Sequence, residues 1–582
     1  MAYGYAGKIL HIDLTTGASR VEATPKDLRE RFLGGRGMAG QYLAPHARRS
    51  FDDPLSPVLF FAGPLTGLAA PSSGRVCILA FSPLTGTVGN SNAGGKLGIE
   101  LKKAGFDGLV VTGRSPKLCG IAIEDGAARI EDASHLSGRS PAETVQRLPA
   151  GGASASIGPA GEKGSRFAVI VMDGEFPAGR GGLGLTLGAK NCKYVRVKGT
   201  GELRGADPGA MAAVREDILR MTAASPTLTG SHGFKRFGSG ALFQVMDDNG
   251  LMPTNNFRRA HFGAAEKLNA AAYKKRYNPQ SHGCPGCHIK CRSVAPGGLP
   301  LPGFESMSHF TALIGNTDLE VTASAHALCL SLGIDPISAA SALACHAEIT
   351  DESLTPERIF SLLAGMGRLQ GEGAELGCGS AIYAKSMGRP ELSMSVKSLE
   401  LPSCDPRGAY GMALAYATSP RGGCYLQACP IRHDFMDMPA SERLTFAGKD
   451  RQIKLAEDAN AAVDSLIVCK YVMFGASLTE YARALSAALG RETTREELMA
   501  SGERTVYCER MINAVRGFSA RDDDLPGRFF NESGAEDGQT ARPISRPDFL
   551  DARSAYYALR GLDENGLPTR EKAAELGLAW ID

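Results

Sequence analysis

Up to about residue 200 the apolar side chains come in short runs: KILHIDL (8–14), VLFFAG (58–63), RVCILAF (75–81), GLVVTG (108–113), FAVIVM (167–172) and YVRVKG (194–199). Runs of this length, bounded by glycine- and proline-bearing turns, predict β-strands. In the first of them Leu10, Ile12 and Leu14 fall on one face and His11 and Asp13 on the other, as an alternating strand requires. Beyond about residue 205 the period lengthens. Segments 207–224, 319–333, 335–349, 449–474 and 494–518 carry helical patterns, with Asp, Ser or Thr placed to cap several of them. The turn-rich stretch LELPSCDPRGAYG (399–411) reads as a seam between two helical lobes, and the last fifty residues as two short helices around an Asn-Gly turn. The expected fold class is therefore α+β: a β-sheet-rich N-terminal domain (1–203) followed by two mostly α-helical domains (204–398 and 399–582).

Composition adds little to that picture except in two places. Seventy-one glycines among 582 residues imply many tight turns and close backbone approaches. A net charge of +2 gives no electrostatic reason to expect nucleic acid or an anionic membrane as partner. The opening MAYGYAGKILHIDL has no basic region followed by an apolar core, and no 18-residue apolar run occurs, so a cytoplasmic location is expected.

The chemistry concentrates in SHGCPGCHIKCRS (281–293), where Cys284, Cys287 and Cys291 lie within eight positions. The other eleven of the fourteen cysteines are scattered singly, unlike a secreted disulfide framework. Spacing alone leaves two readings open. A zinc site could recruit His282 or His288 as fourth ligand, whereas an iron-sulfur cluster would take a distant cysteine. Glycine-rich SNAGG (91–95) and AGRGG (178–182) have the character of anion-binding backbone, although neither is a P-loop or a dinucleotide fingerprint.

The stretches GYAGKILHIDLTTG, FLGGRG, GPLTG, SGRVCILAFSPLTG, NSNAGGKLGIELKKAGFDGLVVTG and AGRGGLGLTLGAKNCK, then the cysteine trio, GFES, LCLSLGIDPIS, YATSPRGG, DSLIVCK and YYALRGLDENGLPTREK, together span nearly the whole chain. In them it resembles the aldehyde:ferredoxin oxidoreductases, tungsten bis-pterin enzymes. The resemblance implies a [4Fe-4S] cluster on Cys284, Cys287, Cys291 and Cys469, the last within DSLIVC (464–469), where Ile467 and Val468 replace the family's Gly-Leu. It implies a tungsten (or molybdenum) bis-pterin near Asn92, Gly94, Gly95, Ala178, Gly179 and Arg180. Arg75 would lie between pterin and cluster, and the Asn92 and Ala178 carbonyls would face a Mg²⁺ that bridges the pterin phosphates. Asp335 and Asp464 would contact the pterin rings, although Leu330 stands where the first acidic motif begins with Asp.

Glu305 matches the family's acid/base position, and Tyr425 occupies the place of its His. His309, four residues after Glu305, would share a helical face with it and could stand in for the lost imidazole. The implied reaction converts a small aldehyde to a carboxylic acid, with electrons passing to ferredoxin or a ferredoxin-like subunit. The resemblance leaves open a homodimer or a larger complex. Two rivals stand beside this reading: a subunit of a complex that reduces aromatic acyl-CoA thioesters, and a zinc-stabilised protein without redox chemistry.

Overall fold

The computed structural model describes residues 3–431, 440–535 and 541–582. Its N-terminal domain holds two six-stranded sheets. The first comprises β1 (Lys8–Asp13), β2 (Ser19–Ala23), β3 (Val58–Phe61), β4 (Val76–Phe81), β5 (Val88–Ala93) and β6 (Gly108–Thr112) in the order β2-β1-β6-β3-β4-β5. The second comprises β7 (Cys119–Glu124), β8 (Ala127–Asp132), β9 (Ala153–Ile157), β10 (Ile170–Met172), β11 (Phe176–Ala178) and β12 (Cys192–Lys198) in the order β11-β10-β9-β12-β7-β8. Pairing is antiparallel except between β1 and β6 and between β7 and β12.

The strand runs are continuous in sequence because both faces of the first sheet are covered. Leu10, Ile12, Phe60 and Ile78 meet Ile121, Ile157, Met172 and Val195 of the second sheet in one core. From the opposite face Ile9, Leu59, Phe61, Leu79 and Phe81 pack on Met38 of the helix Gly35–Leu43 and on Cys508 and Ile512 of the helix Arg495–Val515. A sheet buried on both sides reads as apolar runs and loses the alternation of a half-exposed strand. β5 is the exception. Its sequence, VGNSNA, carries polar side chains because this edge strand borders the main cavity.

The remainder of the chain is mostly helical, beginning with Pro208–Ala224, capped by the Asp207 side chain. The expected helices appear at Leu319–Leu332, Pro336–Thr350 and Arg495–Val515. The helix expected over 449–474 stops early, at Leu466, because Ile467 takes a left-handed conformation at φ +62°. A β-branched residue there is a backbone outlier. The turn lets Val468 N–H reach the Val463 carbonyl at 3.0 Å and Cys469 N–H the Ser72 carbonyl at 2.9 Å, which ties the end of this helix to the N-terminal domain. Near the C-terminus the helices Arg546–Arg560 and Arg570–Glu575 flank the Asn565-Gly566 turn. Among the described residues no helix is long and apolar enough to cross a membrane.

Candidate active site

A cavity of about 890 Å³ opens where the β5 and β11 edges meet the helical part. Its walls include Arg75, Asn92, Gly94, Gly179, Arg180, Cys284, Cys287, Cys291, Asp464 and Cys469, so residues almost 400 positions apart converge on one space. The Ile467 turn presents Cys469, whose Sγ accepts from Arg75 Nη1 at 3.4 Å. Arg75 also donates to the Asn92 carbonyl. Gly94 lies so close to Cys284 that an added Cβ would stand 2.4 Å from its Sγ. Burial first, and the neighbouring Cys469 second, push the Cys291 thiol up to about 12. Apposed thiols without a bound cation resist ionisation in this way.

The two histidines that could have completed a zinc site are committed elsewhere. His282 pairs with Glu175 and stacks on Phe176. His288 Nε2 meets Thr222 Oγ1 at 3.0 Å. Among the described residues no three His, Cys, Asp or Glu side chains stand close enough to hold a single ion.

The glycine-rich stretches do different jobs. Gly179 is open to the cavity, with nothing within 4 Å of where a Cβ would be. Gly95, at φ +96°, could take no side chain without striking Asp173 Oδ2. Ala178 is buried within β11, paired with Ile170. Arg180, at φ +52°, donates from Nη1 to the Gly423 carbonyl at 3.0 Å and stands 3.5 Å from Asp335. Asp464 already has three side-chain partners: Oδ1 accepts from Asn92 Nδ2 at 2.9 Å, and Oδ2 meets Lys470 at 2.9 Å and Arg36 at 3.2 Å. Asp335 caps the helix Pro336–Thr350, accepting from Ile337 and Ser338 N–H, and is not among the cavity walls.

Wall residues that escaped the sequence reading include Ser72, Asn90, Arg421 and Gln427. Arg421 sits inside the YATSPRGG stretch, but nothing in that pattern says that its side chain is buried. It donates from Nη1 to the Asn90 carbonyl at 2.6 Å and from Nη2 to Cys424 Sγ at 2.7 Å. Burial opposes ionisation of Cys424, but Arg421 and then Arg180 outweigh it and hold the thiol below its ordinary range. Ser72 Oγ, Gln427 Oε1 and the Nε atoms of Arg75 and Arg421 are buried without a hydrogen-bond partner. Buried polar atoms without partners, gathered around one cavity, mark a site that a polar ligand completes. The Arg75 and Arg421 guanidiniums in this wall hydrogen-bond to carbonyl and thiol groups, a setting that suits an anionic group.

Next to the cavity, the helix Phe304–Phe310 carries Glu305. Its Oε1 accepts from the Tyr425 hydroxyl at 2.5 Å and its Oε2 from Ser403 N–H at 2.8 Å. Burial and then Glu305 raise the Tyr425 phenol well above its usual range, so it keeps its proton. His309 is on the same helix but fully enclosed. Its Nε2–H donates to the Leu401 carbonyl at 3.2 Å and its Nδ1 accepts from Ser403 Oγ at 2.7 Å. Burial lowers it to about 4, which keeps the ring neutral.

Residues 9–199 match the family model for the N-terminal domain of aldehyde ferredoxin oxidoreductase, and residues 213–578 the model for its domains 2 and 3. The chain is 36% identical to the tungsten-containing aldehyde ferredoxin oxidoreductase of Pyrococcus furiosus and 35% identical to that of Thermococcus kodakarensis, with 99% of each chain covered. Among solved structures, the active site complex BamBC of benzoyl coenzyme A reductase with 1,5-dienoyl-CoA has a similar fold. The TM-score is 0.85 at 22% identity, over 99% of this chain and 98% of that one.

Proposed function

The chain belongs to the aldehyde ferredoxin oxidoreductase family and is an oxidoreductase, and from that premise we propose that it oxidises a small aldehyde to the carboxylic acid and delivers the electrons to ferredoxin or a ferredoxin-like subunit. The family's curated members are named as tungsten-containing. The cavity suits such a cofactor, since its volume, its cations and its unpartnered polar atoms suit a polyanionic group. Arg75, Arg421, Gln427, Asp464 and the backbone at 91–95 and 178–180 would hold a tungsten (or molybdenum) bis-pterin and its Mg²⁺. Cys284, Cys287, Cys291 and Cys469 would hold a [4Fe-4S] cluster. When bound, the two groups supply a two-electron redox centre beside a one-electron relay.

The rest falls to the chain's own side chains. Aldehyde and water become carboxylate, two electrons and three protons, so the site must take up protons near the reacting oxygen. Glu305 is the group for that task, because a carboxylate with one donor on each oxygen retains further lone pairs to accept a proton. Tyr425 keeps its hydroxyl proton and orients Glu305 as a donor. Ser403 fixes the other carboxylate oxygen and joins this helix to the enclosed His309.

One observation carries the reading: four cysteines from two distant segments border one cavity with Arg75, whose guanidinium reaches the farthest of them. The same geometry speaks against a single zinc ion. The likeness to the benzoyl-CoA reductase complex is one of fold alone and carries no substrate. The test is anaerobic purification, then iron and tungsten analysis and viologen reduction with a panel of aldehydes and an aromatic acyl-CoA. We expect iron, tungsten and aldehyde-dependent dye reduction in the wild type, with iron and turnover both lost in Cys469→Ala. Zinc in place of iron, or full activity in Cys469→Ala, would refute the proposal.

A further inference from the structure

We propose that the surface around the cysteine loop is the docking site of a small, acidic one-electron carrier protein that binds and leaves; this rests on the redox reading above. Gly283 and Lys290 abut, since a Cβ on Gly283 would lie 2.9 Å from Lys290 Cα. Residues 283–290 therefore form a closed loop whose tip, Pro285-Gly286, is exposed. The two cysteines nearest the tip, Cys284 and Cys287, are only partly covered. This is where a thiolate-bound cluster would come closest to solvent.

Cations surround that loop. Lys290 is on it, Lys235 and Arg236 are on the helix Phe234–Phe237, Lys274 is on the helix Ala270–Tyr277 and Arg215 on the helix Pro208–Ala224. Contacts tie these elements together. Ser281 Oγ donates to the Lys235 carbonyl at 3.0 Å, and Ser239 N–H to the Cys291 carbonyl at 3.1 Å. Arg236 and Lys274 both lie over the Phe237 ring, itself a wall of the cavity. Arg215 lines the same cavity as Cys287 and His288.

The same helices show what a balanced charge looks like. Arg220 pairs with Asp217, and Arg276 with Glu320. Of the acids near the loop, Glu175 is held by His282, while Glu216, beside Arg215, is exposed. A chain whose net charge is +2 thus gathers an unbalanced positive patch at the edge of its electron-carrying centre. None of the exposed large hydrophobic side chains falls on these segments. A patch with charge and no apolar centre suits fast, salt-sensitive and short-lived association with an oppositely charged partner. Each carrier molecule would take one electron, so two are reduced for each aldehyde oxidised.

The test uses the intact, anaerobically purified protein with a purified acidic single-cluster ferredoxin or with benzyl viologen as acceptor. The triple variant Lys235→Glu, Arg236→Glu, Lys274→Glu should lose roughly tenfold or more in kcat/KM for ferredoxin at low salt. Its viologen rate should match wild type, and the wild-type ferredoxin rate should fall as salt is added. A ferredoxin rate unchanged in the triple variant, or equally reduced by Lys117→Glu with Arg495→Glu, overturns the proposal. Absence of aldehyde-dependent viologen reduction in the wild type removes the redox premise itself, and the proposal with it.

Discussion

Two groups of buried arginines lie in this molecule, and they are balanced differently. Where the helices Lys449–Leu466, Arg495–Val515 and Arg546–Arg560 meet, each is matched by a carboxylate. Arg560 lies between Asp458 and Glu457, Arg510 meets Asp523 at 3.0 Å, and Asp523 also holds Lys397 at 2.6 Å. At the cavity, the half-buried Arg75 and the buried Arg421 have only carbonyl and thiol partners. Glu305 is their mirror image, a carboxylate held by a hydroxyl and an amide with no cation. Burying an uncompensated charge is costly, so it persists where something else completes it. The first group builds the frame; the second borders the cavity where we propose that an anionic cofactor and the substrate bind.

The sharpest way to break this comparison is to remove one arginine from each group. Arg560→Met leaves Glu457 in the interior without its ion-pair partner and Asp458 with Lys454 alone, and should destabilise the protein by about 3–5 kcal/mol. Arg421→Met strands no carboxylate. The cofactor-free protein should keep or raise its denaturation midpoint, while the anaerobically purified protein should carry less tungsten. Urea denaturation with metal analysis of both variants reads the contrast. If Arg421→Met destabilises the cofactor-free protein as much as Arg560→Met does, charge balance does not separate frame from site.

How much of this was legible in the sequence follows the same division. The strand runs announced themselves because a doubly covered sheet needs continuous apolar residues, and Cys284, Cys287 and Cys291 because ligands on one loop need close spacing. The chain break at Ile467 did not. The family motif has Gly there, which declares a left-handed turn, but Ile hides it and extends the apparent helix to residue 474. The structure tolerates Ile467 because its side chain packs where Gly35 and Gly63 leave no room for a Cβ of their own. Polar β5 was obscured for a related reason, since its side chains face a cavity that only the folded chain encloses. Arg421 and Ser403 were silent because a residue's partners across 98 or 331 positions leave no local signature.

His309 tests the frame in smaller measure. Enclosed and neutral at about 4, against an ordinary value near 6.5, it refuses a proton that the unfolded chain accepts. Because the folded value is the lower one, the stability present above pH 6.5 is lost as pH falls towards 4, on the order of 3 kcal/mol when complete. His309→Gln keeps an N–H for the Leu401 carbonyl but does not titrate. Its denaturation midpoint should fall less than that of wild type between pH 7 and pH 4.5. Parallel acid limbs in the two proteins would show that this ring is not what the acid attacks.

Tyr425→Phe gives the smallest effect and bears most directly on the site. The hydroxyl donates to Glu305 at 2.5 Å, and both burial and that carboxylate keep its proton in place. It therefore acts as a fixed donor, in contrast to the titrating imidazole that the family resemblance implies at this position. Losing one such hydrogen bond to a charged group should lower kcat/KM for an aldehyde by roughly tenfold. The loss should be the same at every pH on the alkaline side, because no proton leaves this residue in the working range. A wild-type rate that declines at high pH, with the decline abolished in Tyr425→Phe, would instead mean that the phenol titrates during turnover. Tyr425→His should introduce a dependence near neutral pH that wild type lacks, since an imidazole gains and loses its proton there. The pH profiles of the three proteins with viologen as acceptor decide whether Glu305 is held by a permanent donor or paired with a second acid-base group.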